Sequence, residues 1–161
     1  AGVQETGYDY LPSAPVLLNG TRAVKQYGGA REIVIACFLN AGAVLNMLAV
    51  ADDRDVLLLC AGQDGRFSIE DALCAGLFAS ELARLSEASL SDSARAAAAI
   101  YGNCRGSIED ALIESEHGAY LAGIGFLDDV RYCACRSVLD VVPKVYDRRV
   151  IRKAREEWLI C

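Results

Sequence analysis

The sequence is short of the residues from which most recognisable catalytic and metal centres are built. Its 161 residues include one histidine, one tryptophan, one methionine and three prolines. The single imidazole, His117, excludes any multi-histidine metal site. A Ser-His-Asp triad would have no other base, and no Gly-x-Ser-x-Gly nucleophile elbow is present. Seven cysteines contain no C-x-x-C pair, so zinc-ribbon and thioredoxin-type spacings are missing. No apolar run approaches the roughly 18 residues of a membrane span. The longest, Ile33 to Leu39 and Val56 to Ala61, have strand length. Positive charge is also scarce, with 16 Lys and Arg against 22 Asp and Glu and a net charge of −6. The one basic cluster, Arg148 to Arg155, runs into Glu156 and Glu157, so neither nucleic acid nor membrane is expected as a partner. The chain does not open with a basic segment and apolar stretch, and its cysteine count is odd, with four in apolar runs. Both features point to buried, reduced thiols in a cytoplasmic protein.

What is present is apolar. The hydrophobic fraction is 53% and the mean hydropathy +0.24, enough for one buried core in a domain of this size. Residues 1–15, with Gly2, Gly7, Pro12 and Pro15, read as an irregular lead-in, and 16–161 as a single domain. Strands are expected at Val16 to Leu18, Ile33 to Phe38, Asp55 to Cys60 and Val130 to Cys135, with an edge strand from Val138 to Val142 ended by Pro143. A short helix is expected from Thr21, and another, capped by Asn40, runs through Leu45 and Leu48. A third starts at Ser68 with Glu70 and Asp71 in its first turn and Leu73, Leu77, Leu82 and Leu85 along one face. Ala94 to Ile100, a segment capped by Ser107, and Arg148 to Leu159 complete the helices. Ser-Ile-Glu-Asp-Ala-Leu occurs at both 68–73 and 107–112, a repeated helix-capping unit without a repeat around it. Alternating strands and helices predict an α/β fold, a three-layer sandwich around a mostly parallel β-sheet. The unbroken apolar run Val56 to Cys60 predicts an interior strand.

Ligands of such sheets bind beyond the carboxyl ends of the strands. Three segments fall there. Asn19-Gly20-Thr21-Arg22 offers a flexible backbone, an amide, a hydroxyl and a guanidinium suited to phosphate, although Asn-Gly is also a common turn. Asn40-Ala41-Gly42 opens a helix. Gly62-Gln63-Asp64-Gly65-Arg66 leads into Glu70 and Asp71, and so supplies a guanidinium and three carboxylates of the kind Mg²⁺ prefers. Acidic residues in a first helical turn are equally ordinary. Cys60 and Arg66 also have the spacing of a cysteine-based phosphatase loop, against which stand the apolar run before Cys60 and the negative charge of Asp64. His117 serves either as a core or loop residue or in a site.

These segments together resemble the 2-phosphosulfolactate phosphatases. The resemblance rests on Asn19-Gly20-Thr21, on Ala61-Gly62-x-x-Gly65-Arg66-x-Ser68-x-Glu70-Asp71 with Ala75-Gly76, on Ser115-x-His117-Gly118-x-x-Leu121, and on Asp129 before a cysteine-bearing strand closing near Val142-Pro143. It spans about residues 16 to 145. It implies an α/β protein that uses Mg²⁺ to hydrolyse 2-phosphosulfolactate, a step toward coenzyme M or sulfolactate. By position, Asn19, Gly20, Thr21, Gly62, Gly65, Asn40 and His117 would bind the small anionic substrate. Arg22, Arg66 and Asp64 would be catalytic, and Glu70 and Asp71 would hold the metal. A homo-oligomer is compatible with this reading. The chain has no counterpart of the family's opening Asp-Val-Leu-Arg-Ala-like strand. It is therefore expected to correspond to the C-terminal part of such a phosphatase, or else to a non-catalytic anion-binding domain of the same fold.

Overall fold

The structure is a computed structural model that describes residues 14–17, 32–50, 55–63, 65–146 and 149–153. Three strands run parallel. β1 (Ala14–Leu17) lies between β2 (Ile33–Ile35) and β3 (Val56–Leu59), and Leu17 is in register with Ile35 on one side and Leu59 on the other. β4 (Val142–Tyr146) pairs antiparallel with β2, and β5 (Arg149–Lys153) pairs antiparallel with β4. The order is β3-β1-β2-β4-β5. The register places the carboxyl ends of β1, β2 and β3 side by side, where a ligand site is expected.

Among the described residues six helices occur, in chain order α1 (Ala41–Ala49), α2 (Ile69–Ser86), α3 (Asp92–Cys104), α4 (Ile108–Ile113), α5 (Glu116–Gly123) and α6 (Leu127–Ala134). α2 organises the core. Ser68 caps it by accepting the Asp71 N–H at 3.2 Å, and Glu70 and Asp71 favour the positive end of its macrodipole. Its Leu73, Leu77 and Phe78 are fully buried and pack with Val34 of β2, Val44 of α1, Tyr101 of α3 and Leu112 of α4. Each such side chain contributes on the order of 1.5–3 kcal/mol by leaving water. α3 reaches α2 at Gly76, where an added Cβ would lie 2.1 Å from the Ala97 carbonyl oxygen.

Several expectations are corrected. The sheet is mixed, because β4 and β5 run against the three parallel strands. A second, smaller cluster joins the strand residues Ile33, Ile35, Leu59 and Val145, and the helix expected from Thr21 lies outside the described residues. β3 is an edge strand of this sheet and its residues are half-buried. Its apolar run reflects coverage of both faces: Val56 and Leu58 meet the main core, whereas Leu59 joins the cluster around Ile33.

β2 stops at Ile35, because Asn40 draws the chain into a 3₁₀ turn at Phe38–Asn40. Its side-chain oxygen accepts the Cys37 N–H at 2.9 Å, and its amide donates to the Ile35 carbonyl at 3.1 Å. Of residues 130–135, expected as a strand, 130–134 belong to α6 and Cys135 is its extended C-cap. Only Val130 is buried there, Asp128 and Asp129 occupy the first turn, and Arg131 reaches back to Asp128 at 3.2 Å. The last strands also differ. β4 begins at Val142 and continues through Pro143, which precedes the β2 pairing that starts at Lys144. Where a closing helix was expected, Arg149–Lys153 is strand, since its β-branched Val150 and Ile151 extend a hairpin with β4. Four of the described cysteines, Cys37, Cys60, Cys133 and Cys135, are exposed and not core residues.

The approach of α3 to α2 gives a test. Gly76→Ala should destabilise the protein by about 1–3 kcal/mol, because backbone and not a pliable side chain occupies the space. Urea denaturation should show a lower midpoint with an unchanged slope.

Candidate functional site

Beyond β3 the chain passes Cys60 and enters a tight turn. Gln63 and Arg66 exchange both backbone hydrogen bonds, Arg66 N–H to Gln63 O at 2.9 Å and Gln63 N–H to Arg66 O at 3.2 Å. These two amides are therefore spent on the turn and do not cradle an anion. Gly62 and Gly65 have φ of 66° and 76°, a conformation disfavoured for residues with a Cβ. A Cβ on Gly62 would also sit 2.3 Å from the Arg66 carbonyl oxygen. The Gly62 N–H donates to the Asp71 carboxylate at 2.8 Å, which fastens the turn to the start of α2.

The start of α5 forms the opposite wall. Ser115 is buried and caps α5 by accepting the Gly118 N–H at 2.9 Å. Its hydroxyl proton is shared between Glu70 Oε1 at 2.6 Å and the Leu112 carbonyl at 2.7 Å. Ser68 donates to the other oxygen of Glu70 at 2.7 Å. Burial alone would raise the Glu70 pKa, but these hydroxyls and the nearby His117 outweigh it and hold the carboxyl below its usual value. Above Glu70, the Arg66 guanidinium pairs with Glu116 at 3.3 Å. His117 Nδ1 lies 3.4 Å from the Gln63 amide nitrogen, and its ring stacks with Tyr120 at 6.3 Å between centroids. Gln63, Arg66, Ser68, Glu70, Glu116 and His117 line a pocket of about 180 Å³ with Phe67 and Ile69.

The structure thus brings Arg66, Glu70 and His117 to one pocket, with Gly62 and Gly65 shaping the turn beneath it. His117 is exposed and is not a core residue. Asp71 is turned inward: it is 6% exposed, does not line the pocket, and burial raises its pKa despite the Gly62 amide. Asn40, 3% exposed, spends its amide on the carbonyls of Ile35 and Val141. Asn19, Gly20, Thr21, Arg22 and Asp64 lie outside the described residues. Gln63 and Glu116 line the pocket and Ser115 supports Glu70 from behind it, but none was singled out as a site residue. The available signal was a serine followed by an acidic residue, a helix-start pattern at Ser115-Glu116.

Among the described residues, no three His, Cys, Asp or Glu side chains are placed to hold a metal ion. Mg²⁺ is commonly held by one or two carboxylates, with phosphate and water completing the shell. Glu70, the pocket carboxylate not ion-paired to Arg66, fits that role, whereas Asp71 in this orientation does not. A larger groove of about 420 Å³ lies beside β3, lined by Val56, Leu58, Ala79, Leu82 and Leu90 among others. Its lining contains no basic side chain, so it does not suit an anion.

Residues 18–148 match the family model described as 2-phosphosulpholactate phosphatase. A probable 2-phosphosulfolactate phosphatase of Thermotoga petrophila is 36% identical over 84% of this chain and 57% of its own length. One from Synechocystis is 33% identical over 84% and 57%, and one from Caldanaerobacter subterraneus is 31% identical over 79% and 52%. The chain spans about half the length of the curated relatives it matches.

The alternative thiolate chemistry is testable at Cys60. Burial, with the charge of Asp71 adding to it, pushes this thiol up to about 11. The thiolate fraction at neutral pH is then about one in ten thousand, far from that of an activated nucleophile. Alkylation of Cys60 followed by peptide mass spectrometry should show a rate that climbs with pH toward a midpoint near 11. A midpoint near neutrality would reinstate the thiolate.

Proposed function

The chain belongs to the 2-phosphosulpholactate phosphatase family, and we propose that it hydrolyses 2-phosphosulfolactate to sulfolactate and phosphate in a Mg²⁺-dependent reaction. The observation that carries this reading is the convergence of Arg66, Glu70 and His117 at the carboxyl end of β3. In the proposed reaction, Arg66 directs its donors at the phosphoryl oxygens and offsets charge that develops on them. The substrate's sulfonate needs a second anchor. The segment Asn19 to Arg22 is proposed for it, since β1 ends in register with β3. His117, held by Gln63, contributes a hydrogen bond at the rim, and Asp64 is proposed to act with the two arginines. Glu70 would be the protein's ligand to Mg²⁺, and the bound ion would polarise the phosphoryl group and favour attack by water. Ser68 and Ser115 keep the Glu70 carboxylate ionised and aimed. No described helix is long and apolar enough to cross a membrane, and a cytoplasmic location on a path toward coenzyme M or sulfolactate belongs to the same proposal.

A second reading, an anion-binding domain without turnover, is favoured by Glu70 being, among the described residues, the one pocket carboxylate not ion-paired to Arg66. Phosphate release from 2-phosphosulfolactate separates the two. Turnover with Mg²⁺ that is lost on chelation is expected. Turnover in excess chelator contradicts the metal, and phosphate binding without turnover selects the second reading. Arg66→Ala should weaken phosphate binding roughly tenfold, the lower end for a lost charge-assisted hydrogen bond, because Arg66 is exposed.

A further inference from the structure

Arg66 and Glu116 come from elements 50 residues apart, and the side chains of both stand largely in solvent, 64% and 81% exposed. An exposed ion pair is normally held loosely, since two long side chains must be ordered for a small Coulomb gain. Here both backbones are fixed. Arg66 closes the doubly hydrogen-bonded turn with Gln63, and Glu116 is the first residue of α5, whose cap Ser115 is tied to Glu70. The carboxylate of Glu116 consequently meets the guanidinium at the pocket rim, in the place a phosphoryl or sulfonate oxygen of a bound ligand would take. The other titratable groups lining this pocket are Glu70, which faces serine hydroxyls, and His117, the residue after Glu116.

We propose that Glu116 is a positioning residue of this pocket: it holds Arg66 as a stand-in for the ligand's anionic group and is displaced when that group binds. The inference rests on the reading of the pocket as an anion site. Its chemistry is an exchange of acceptors. The guanidinium keeps a carboxylate partner when the pocket is empty, and an incoming anion must outcompete that carboxylate and sit beside its released charge. Glu116 thereby lowers the affinity of the pocket for an anion and keeps Arg66 held at its rim while it is empty.

The test is calorimetric titration with inorganic phosphate of the whole chain and of Glu116→Gln, Arg66→Ala and the double variant, at low ionic strength. Glu116→Gln should bind phosphate about two- to fivefold more tightly, the gain expected from removing a competing exposed carboxylate. The gain should shrink as salt is added. In the Arg66→Ala background Glu116→Gln should give no such gain, which identifies the ion pair as its source. If Glu116 serves only the macrodipole of α5, Glu116→Gln will lower the urea midpoint and leave phosphate affinity unchanged, and the inference is overturned. If Arg66→Ala weakens binding while Glu116→Gln does not tighten it, the anion site stands and this inference alone falls. If Arg66→Ala leaves affinity unchanged, both fall.

Discussion

The site depends on one buried contact, the Gly62 N–H donated to the Asp71 carboxylate. It joins the turn that follows a parallel strand to the first turn of the longest described helix. The contact carries an electrostatic cost, for burial raises the Asp71 pKa, with the charge of Glu70 adding to it. The folded chain therefore binds this proton more tightly than the unfolded chain. The group's contribution to stability is greatest below the usual carboxylate range and declines as pH rises past it. The Gly62 amide opposes that rise, and it fastens a turn whose geometry only glycine fits at position 62.

From that clasp the pocket is assembled by short polar links instead of a deep cavity. Asp71 fixes Gly62, the Gln63–Arg66 turn fixes Arg66, and Ser68 caps α2 while holding one oxygen of Glu70. The other oxygen is held by Ser115, which also caps α5 and so sets the position of Glu116 and His117. Two serines, each the N-cap of a different helix, thus converge on one carboxylate. The chemistry proposed for this protein needs such a group kept ionised beside a guanidinium, and hydrogen bonding to the charged form is the physical means.

Much of this was legible in the sequence, for identifiable reasons. Ser68 with Glu70 and Asp71 announces a helix start by local capping chemistry alone, and the structure places it there. The parallel strands around Val16, Val34 and Leu58 follow from runs of aliphatic and β-branched residues. The failures came where tertiary contacts overrode local pattern. Val130 to Cys135 alternates like a strand, but Arg131 is satisfied only on a helix, by Asp128 and by Glu109 of α4. Val56 to Leu59 reads as interior because apolarity reports covered faces and is blind to whether a neighbouring strand is present. Asp71 looked equivalent to Glu70, since adjacent carboxylates differ only in which way the helix points them. The roles of Ser115 and Glu116 were hidden because they depend on a contact across 45 or more residues.

The central claim is that anions bind at the pocket between the β3–α2 turn and the start of α5, not in the larger groove beside β3. Backbone amide chemical shifts followed during titration with phosphate, and then sulfolactate, test it most directly. The account predicts the largest changes at Gln63, Arg66, Phe67 and Ser68 and at Glu116, His117 and Gly118. Changes centred on Val56 to Leu59 and Ser86 to Ser91, or none at all, would contradict it.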